Sequence, residues 1–363
     1  MNGSRSPIVE RVRCPKMNKK LPFLLSALMA ASFLNVAGAA VAPVSAMTVP
    51  PARLPLELYE KVPIPGHYGR IDHFDGQGRM LYFSVVGSNG VGVENWFDGS
   101  LVHFIPGVPG PQGELYAPGF NELFSASSHG KVYVFDASTY QLKKTLKFSG
   151  DADDEVWDPV HKLVLVAEGD WPKGGIAAIN PATNRRVGTI WKTGHHPERF
   201  AIENHGPMMY ANCPNCGNSV LAINRDTGQV KKWALPGGLR GNYAMTFDEG
   251  DHRLFTITRK NPMLIVFDTR NGRIVSLVPG IVGEADDAFY DASRKRIYIV
   301  GGQGFVSVVQ QMTPNRYGLI ANVPTKVGAR TGYFDVRMDR LYVGVQAEGN
   351  VPAEVMGFEA EDN

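Results

Sequence analysis

Apolar and small polar residues alternate along most of the chain in short runs of period two, and no long stretch keeps a 3.6-residue period, so the pattern predicts strands rather than helices. The runs recur. MLYFSV (80–85), ELFSAS (122–127), LVLVAE (163–168), MMYANC (208–213), RLFTIT (253–258), RIYIVG (296–301) and RLYVGV (340–345) centre on Tyr82, Phe124, Leu165, Tyr210, Phe255, Tyr298 and Tyr342. The intervals between these centres are 42, 41, 45, 45, 43 and 44 residues, the length of a unit of four short strands. A further strand follows in KVYVFD (131–136), GIAAIN (175–180), SVLAIN (219–224) and MLIVFD (263–268). Each ends in Asp136, Asn180, Asn224 or Asp268, residues suited to open a tight turn.

Seven such units predict an all-β fold, a seven-bladed β-propeller. The ends of the repeat predict how the ring closes. The last unit has strands at 331–336, 340–345 and 353–360 and then lacks a fourth, while Leu56-Glu-Leu-Tyr-Glu-Lys-Val-Pro precedes the first unit with no blade of its own. Pairing of this N-terminal strand with the C-terminal blade would remove an open sheet edge.

The first residues carry a different signal. Met17 to Lys20 is basic, 21–42 is almost wholly apolar, and Val44-Ser45-Ala46 is a small-x-small site, so residues 1–46 are expected to be a signal peptide, with a mis-set start before Met17 as one account of the preceding residues. Residues 47–363 are then expected to form a single propeller domain, located in the periplasm or secreted. Without residues 1–46 the charge balance changes sign, to 31 Lys and Arg against 34 Asp and Glu. Nucleic acid is therefore not an expected partner. The mature part also has no apolar run long enough to span a bilayer.

Units such as HRLFTITRKNPMLIVFDTRNGRIVSLVPG and RKRIYIVGGQGFVSVVQQ resemble the YncE-like, YVTN-repeat family of secreted β-propellers, and the resemblance covers nearly all of residues 56–360. It implies the fold. It implies no single activity, because relatives include binding proteins, surface-layer repeats and lactonase-like enzymes.

In a propeller the innermost strand of each blade lines a central channel, and ligands bind at its mouth. Counting seven residues back from each centre reaches the turn after that strand, at Asp75, Ala117, Asp158, Glu203, Asp248, Asp291 and Asp335. Five further back lies one expected ring of the channel, Arg70, Gln112, Asp153, Glu198, Tyr243, Asp286 and Arg330, with Asp154, Arg199, Asp287 and Thr331 following. Of these, Arg70, Asp153, Asp154, Glu198, Asp286, Asp287 and Arg330 are the candidate ligand-binding residues. The paired acids Asp153-Asp154 and Asp286-Asp287 are the candidate holders of a Ca²⁺ ion.

A second constellation lies in the fourth unit, where His195-His196 enters the innermost strand and Cys213-Pro-Asn-Cys216 follows the second strand. The topology puts both loops on one face. Two readings stand: a Zn²⁺ or Cu²⁺ site of two imidazoles and two thiolates, or a local Cys213–Cys216 disulfide, which an oxidising compartment favours. Trp157, Trp191 and Trp233 read as packing between blades, and Trp96 and Trp171 as candidate platforms for a ligand.

No serine-nucleophile elbow and no phosphate-binding glycine loop is present. The expected function is a non-catalytic, monomeric binding or scaffold protein for a small-molecule ligand, a metal or a periplasmic protein partner. The alternative is a metal-dependent, lactonase-like hydrolase or lyase that uses the channel carboxylates.

Overall fold

The repeated runs become strands because their β-branched and aromatic residues fill both faces of a sheet. In the computed structural model, which describes residues 53–170 and 172–362, Met80–Val85, Glu122–Ser127, Leu163–Glu168, Met208–Cys213, Arg253–Lys260, Arg296–Gly301 and Arg340–Val345 are each the second strand of a four-stranded antiparallel sheet. Seven such sheets occur among the described residues, in the arrangement of a seven-bladed β-propeller. In chain order blades one to six span 71–106, 111–147, 152–194, 200–234, 240–279 and 285–327. The signal-peptide expectation for 1–46, and the role suggested for Trp171, lie outside the described residues.

The seventh blade closes the ring. Its strands are Gly332–Asp335, Arg340–Val345 and Ala353–Ala360, and its outermost strand is Leu56–Ile64. Leu56 pairs with Ala360 and Ile64 with Ala353 in an antiparallel ladder. The edge that blade seven would otherwise expose is thereby covered by the other end of the propeller.

The core lies between the sheets. Seven clusters of buried apolar residues each join two neighbouring blades. Successive residues of a second strand serve opposite gaps: Tyr82 packs towards blade two and Phe83 towards blade seven. This is why these strands read as nearly continuous apolar runs. Phe83, Phe124 and Phe255 are fully buried, and each such side chain stabilises the fold by about 1.5–3 kcal/mol.

Trp96 belongs to this packing. It is fully buried, stacks on Tyr333 and Tyr342, and donates from Nε1 to the carbonyl of Gly78. That corrects its reading as a ligand platform: it fills the gap between blades one and seven. Trp233, between Tyr210 and Phe267, fills the gap between blades four and five. No helix among the described residues is long and apolar enough to cross a membrane.

Candidate functional site at the channel mouth

The innermost strands carry a local irregularity that builds the site. In blades one, two, three, five and six the pairing to the second strand shifts register, between Ile71 and Phe74, Pro111 and Glu114, Ala152 and Glu155, Asn242 and Met245, and Ala285 and Asp287. Such bulges re-aim side chains, and here they fall on the residues that meet around the axis. The result is two layers of side chains from consecutive positions.

The outer layer surrounds a cavity of 200 Å³ lined by Asp72, Gln112, Asp153, Glu198, Tyr243, Asp286 and Arg330, together with Arg70, Asp151, His73, His196 and Arg259. The counting rule therefore brings six of its seven positions to their place. It misses in blade one. The innermost and second strands there are joined by the two-residue turn Gly78-Arg79, with Gln77 opposite Met80, whereas the other hairpins use longer turns, as at Asp158 and Leu163. Tyr82 consequently pairs with Asp75, while Leu165 pairs with Val156 and Phe255 with Thr246. The ring residue of blade one is Asp72, and the residue at its turn is Gln77 rather than Asp75. Arg70 lines the cavity from just before the strand. Asp75 instead accepts a hydrogen bond from the Tyr116 backbone N–H of the next blade at 2.7 Å.

The inner layer is buried and already satisfied. Arg199 donates to Asp154 at 2.7 Å and lies 3.5 Å from Asp287. His73 Nδ1 lies 3.1 Å from both Asp287 oxygens. The same carboxylates stitch neighbouring blades: Asp154 accepts from the Phe200 N–H at 3.1 Å and Asp287 from the Gly332 N–H at 3.0 Å. Thr331 donates across the closure to the Ile71 carbonyl at 2.9 Å. Asp154 and Asp287 are thus committed to a buried ion cluster beneath the cavity, which corrects their assignment to ligand binding. Sequence counting missed His73 because the short turn shifted its register; it occupies in blade one the position that Asp154 occupies in blade three. Close approach of the blades also fixes one glycine. A Cβ on Gly113 would lie 2.3 Å from the Asp153 carbonyl oxygen.

The mouth is electrically divided. On one side the acids are neutralised: Arg70 pairs with Asp72, and Arg259 and Arg330 both pair with Asp286. Arg259 also stacks on Tyr243, 3.5 Å from the ring centre. Asp286, expected to share a Ca²⁺ ion with Asp153, is held by two arginines, and the ligand atoms grouped with Asp153 are those of His196 and Glu198 instead.

On the other side Asp151, Asp153 and Glu198 gather around His196. Ligand atoms of Asp153, His196 and Glu198 lie within 4.8 Å of one another. His196 Nδ1 donates to the Gly169 carbonyl at 3.2 Å, which leaves Nε2 as the nitrogen that faces the carboxylates. Nε2 faces Asp153 at 3.7 Å and has no hydrogen-bond partner. Burial pushes Glu198 up to about 8, with the Asp153 charge adding to it. Burial opposes a charge on His196 as well, but Asp153 outweighs it and raises the imidazole to about 9. Asp153 resists its own burial, because His196 and His73 bring it down to about 2. Two carboxylates and one imidazole, with open cavity above them, make a three-ligand set dominated by hard oxygen donors and suited to a divalent ion such as Mn²⁺ or Zn²⁺.

Cys213 and Cys216 form a disulfide, so neither sulfur is a metal ligand and the set of His195, His196, Cys213 and Cys216 is corrected. His196 turns instead to Asp153 in the neighbouring blade, and His195 is not among the residues lining the cavity.

No family model matches the chain. In sequence it is similar to the uncharacterized protein YncE of Salmonella typhi, with 24% identity over 53% of this chain and 57% of that protein. The same protein of Salmonella typhimurium is 23% identical over the same shares. These matches span little more than half of the relatives' length. In fold it is similar to hydrazine synthase of Kuenenia stuttgartiensis, with a TM-score of 0.67 and 16% identity over 77% of this chain and 95% of that one. That likeness is one of fold alone. The chain is a seven-bladed β-propeller with weak homology to YncE, and the two findings together fit a YncE-like protein.

Proposed function

We propose that this protein is a periplasmic binding protein that holds a divalent metal ion at its channel mouth and, beside the ion, a small anionic ligand. The observation that carries the reading is the grouping of Asp153, His196 and Glu198, with His196 Nε2 turned towards the carboxylates, where an ion would displace its proton. Such an ion would leave coordination positions open towards the cavity, where Arg70, Arg259 and Arg330 supply positive charge for an anion. The leader-like first residues support export, and the acidic balance after them supports a ligand other than nucleic acid.

Titration calorimetry with Mn²⁺ and Zn²⁺ on EDTA-treated protein tests it. One equivalent should bind, and Glu198→Gln should weaken binding by about tenfold or more while the melting temperature stays within a few degrees. Absence of stoichiometric uptake of either ion would overturn the reading. A second reading, metal-assisted hydrolysis of a lactone-like substrate, has one observation on its side. His73, backed by Asp287, turns Nε2 to within 3.9 Å of Asp153. Turnover of a simple lactone by the metal-loaded protein, lost in His73→Gln, would favour it.

A further inference from the structure

A second cavity, of 380 Å³, opens beside the mouth on the same face and shares Tyr243 and Arg259 with it. It runs outward over blades four and five, past the disulfide loop at Pro214. Its chemistry is the reverse of the acidic side of the mouth. Arg240, Arg259 and Lys260 line it against one acid, Glu284.

Two features of this groove ask for a negative partner. Arg240 and Lys260 are directly opposed across the first two strands of blade five, both are exposed, and among the described residues neither makes an ion pair or a side-chain hydrogen bond. Like charges facing one another across a ladder destabilise it unless something sits between them. The third residue is Asn218. Its amide oxygen accepts the Gly241 N–H at 3.1 Å, which fixes the side chain with its NH₂ group as the part left to donate. Glu284 is thus the one acid among the side chains lining this groove, and Arg240, Lys260 and the Asn218 amide present positive charge and donors to it.

We propose that the groove is an oxyanion subsite, and that the ligand is an elongated organic anion with one end at the channel mouth and a second carboxylate or phosphate between Arg240 and Lys260. The elongated form rests on the metal-dependent reading of the mouth; the oxyanion subsite does not. Arg259 links the two regions, since it pairs with Asp286 at the mouth and also lines the groove.

Calorimetry at low ionic strength separates the parts. Inorganic phosphate should bind EDTA-treated wild-type protein, and the double variant Arg240→Ala/Lys260→Ala, with an unchanged melting temperature, should bind it at least about tenfold more weakly. No phosphate binding by the wild type, or equal binding by the double variant, overturns the subsite. In the Mn²⁺-loaded protein a long α,ω-dicarboxylate such as suberate should bind about tenfold more tightly than acetate, and the double variant should lose that advantage. Equal affinities for suberate and acetate overturn the elongated ligand. A failure of the metal reading appears elsewhere, as absence of Mn²⁺ uptake, and leaves the phosphate result intact.

Discussion

The two layers of the channel come from consecutive residues of the same strands and use the same kinds of side chain, yet they do different work. Asp153 faces an open cavity whose carboxylates are only partly neutralised, and Asp154, its neighbour, is locked to Arg199 and to a backbone N–H of the next blade. In blade six Asp287 is likewise held, by His73 and Arg199, whereas Asp286 lines the cavity but is paired with Arg259 and Arg330. The difference lies in the partners that the blade geometry supplies. A buried charge with its partners in place holds neighbouring sheets in register, whereas a charge left at a solvent opening with few partners is available to a ligand.

The largest effect expected from this contrast is on stability. Arg199→Met should cost about 3–5 kcal/mol, because it leaves Asp154 without its counter-charge in a buried place. Chemical denaturation measures it. Glu198→Gln, one residue earlier, should move the same midpoint by less than about 1 kcal/mol. If the two variants lose equal stability, the division into a structural and a binding layer is wrong.

A charge far from the channel sharpens the rule. Glu94, in the third strand of blade one, is fully buried and neither carboxyl oxygen has a hydrogen-bond partner. Burial pushes it up to about 8, and Glu60 and Asp98 add to the effect. The folded state thus keeps a proton that the unfolded chain releases near pH 4.5, so stability is full below that pH and is lost as pH rises towards 8. Glu94→Gln should remove this loss, raising stability at pH 8 by on the order of 3 kcal/mol with little change at pH 4. Parallel melting curves of wild type and variant across that range would refute it.

The smallest effect concerns the cysteines. Cys213→Ser/Cys216→Ser opens a very short loop and should cost about 2 kcal/mol. Mn²⁺ affinity should be unaltered, since His196 draws its companions from the channel. Loss of metal binding in this variant would return the thiolates to the site.

Much of the molecule was legible in its sequence, and the reason differs from part to part. The second strands and several third strands show clearly because both of their faces are buried, which forces long apolar runs around a bulky centre. Outer strands such as Leu142–Lys147 and Val230–Ala234 are mostly exposed, and their residues carry little signal. The ring of the channel followed from a fixed count because six hairpins share nearly one geometry. It failed in blade one, where the two-residue turn hid both Asp72 and His73. The shorter hairpin could have been suspected from Gly78, which stands four residues before the centre Tyr82. The pairing of His196 with Asp153 and Glu198 was hidden for another reason. It depends on two neighbouring blades meeting at the axis, whereas the cysteines lay close in sequence and drew attention first.

Closure by Leu56–Ile64 has a consequence for how the molecule is made. Of the described strands it is the first to be synthesised and the last to find its neighbour, because its ladder begins at Ala360 and ends at Ala353. Six blades can assemble as each hairpin emerges, but the wheel stays unlatched until Ala353–Ala360 is available. Ring completion is therefore the most non-local event in folding and should be its slow, final phase.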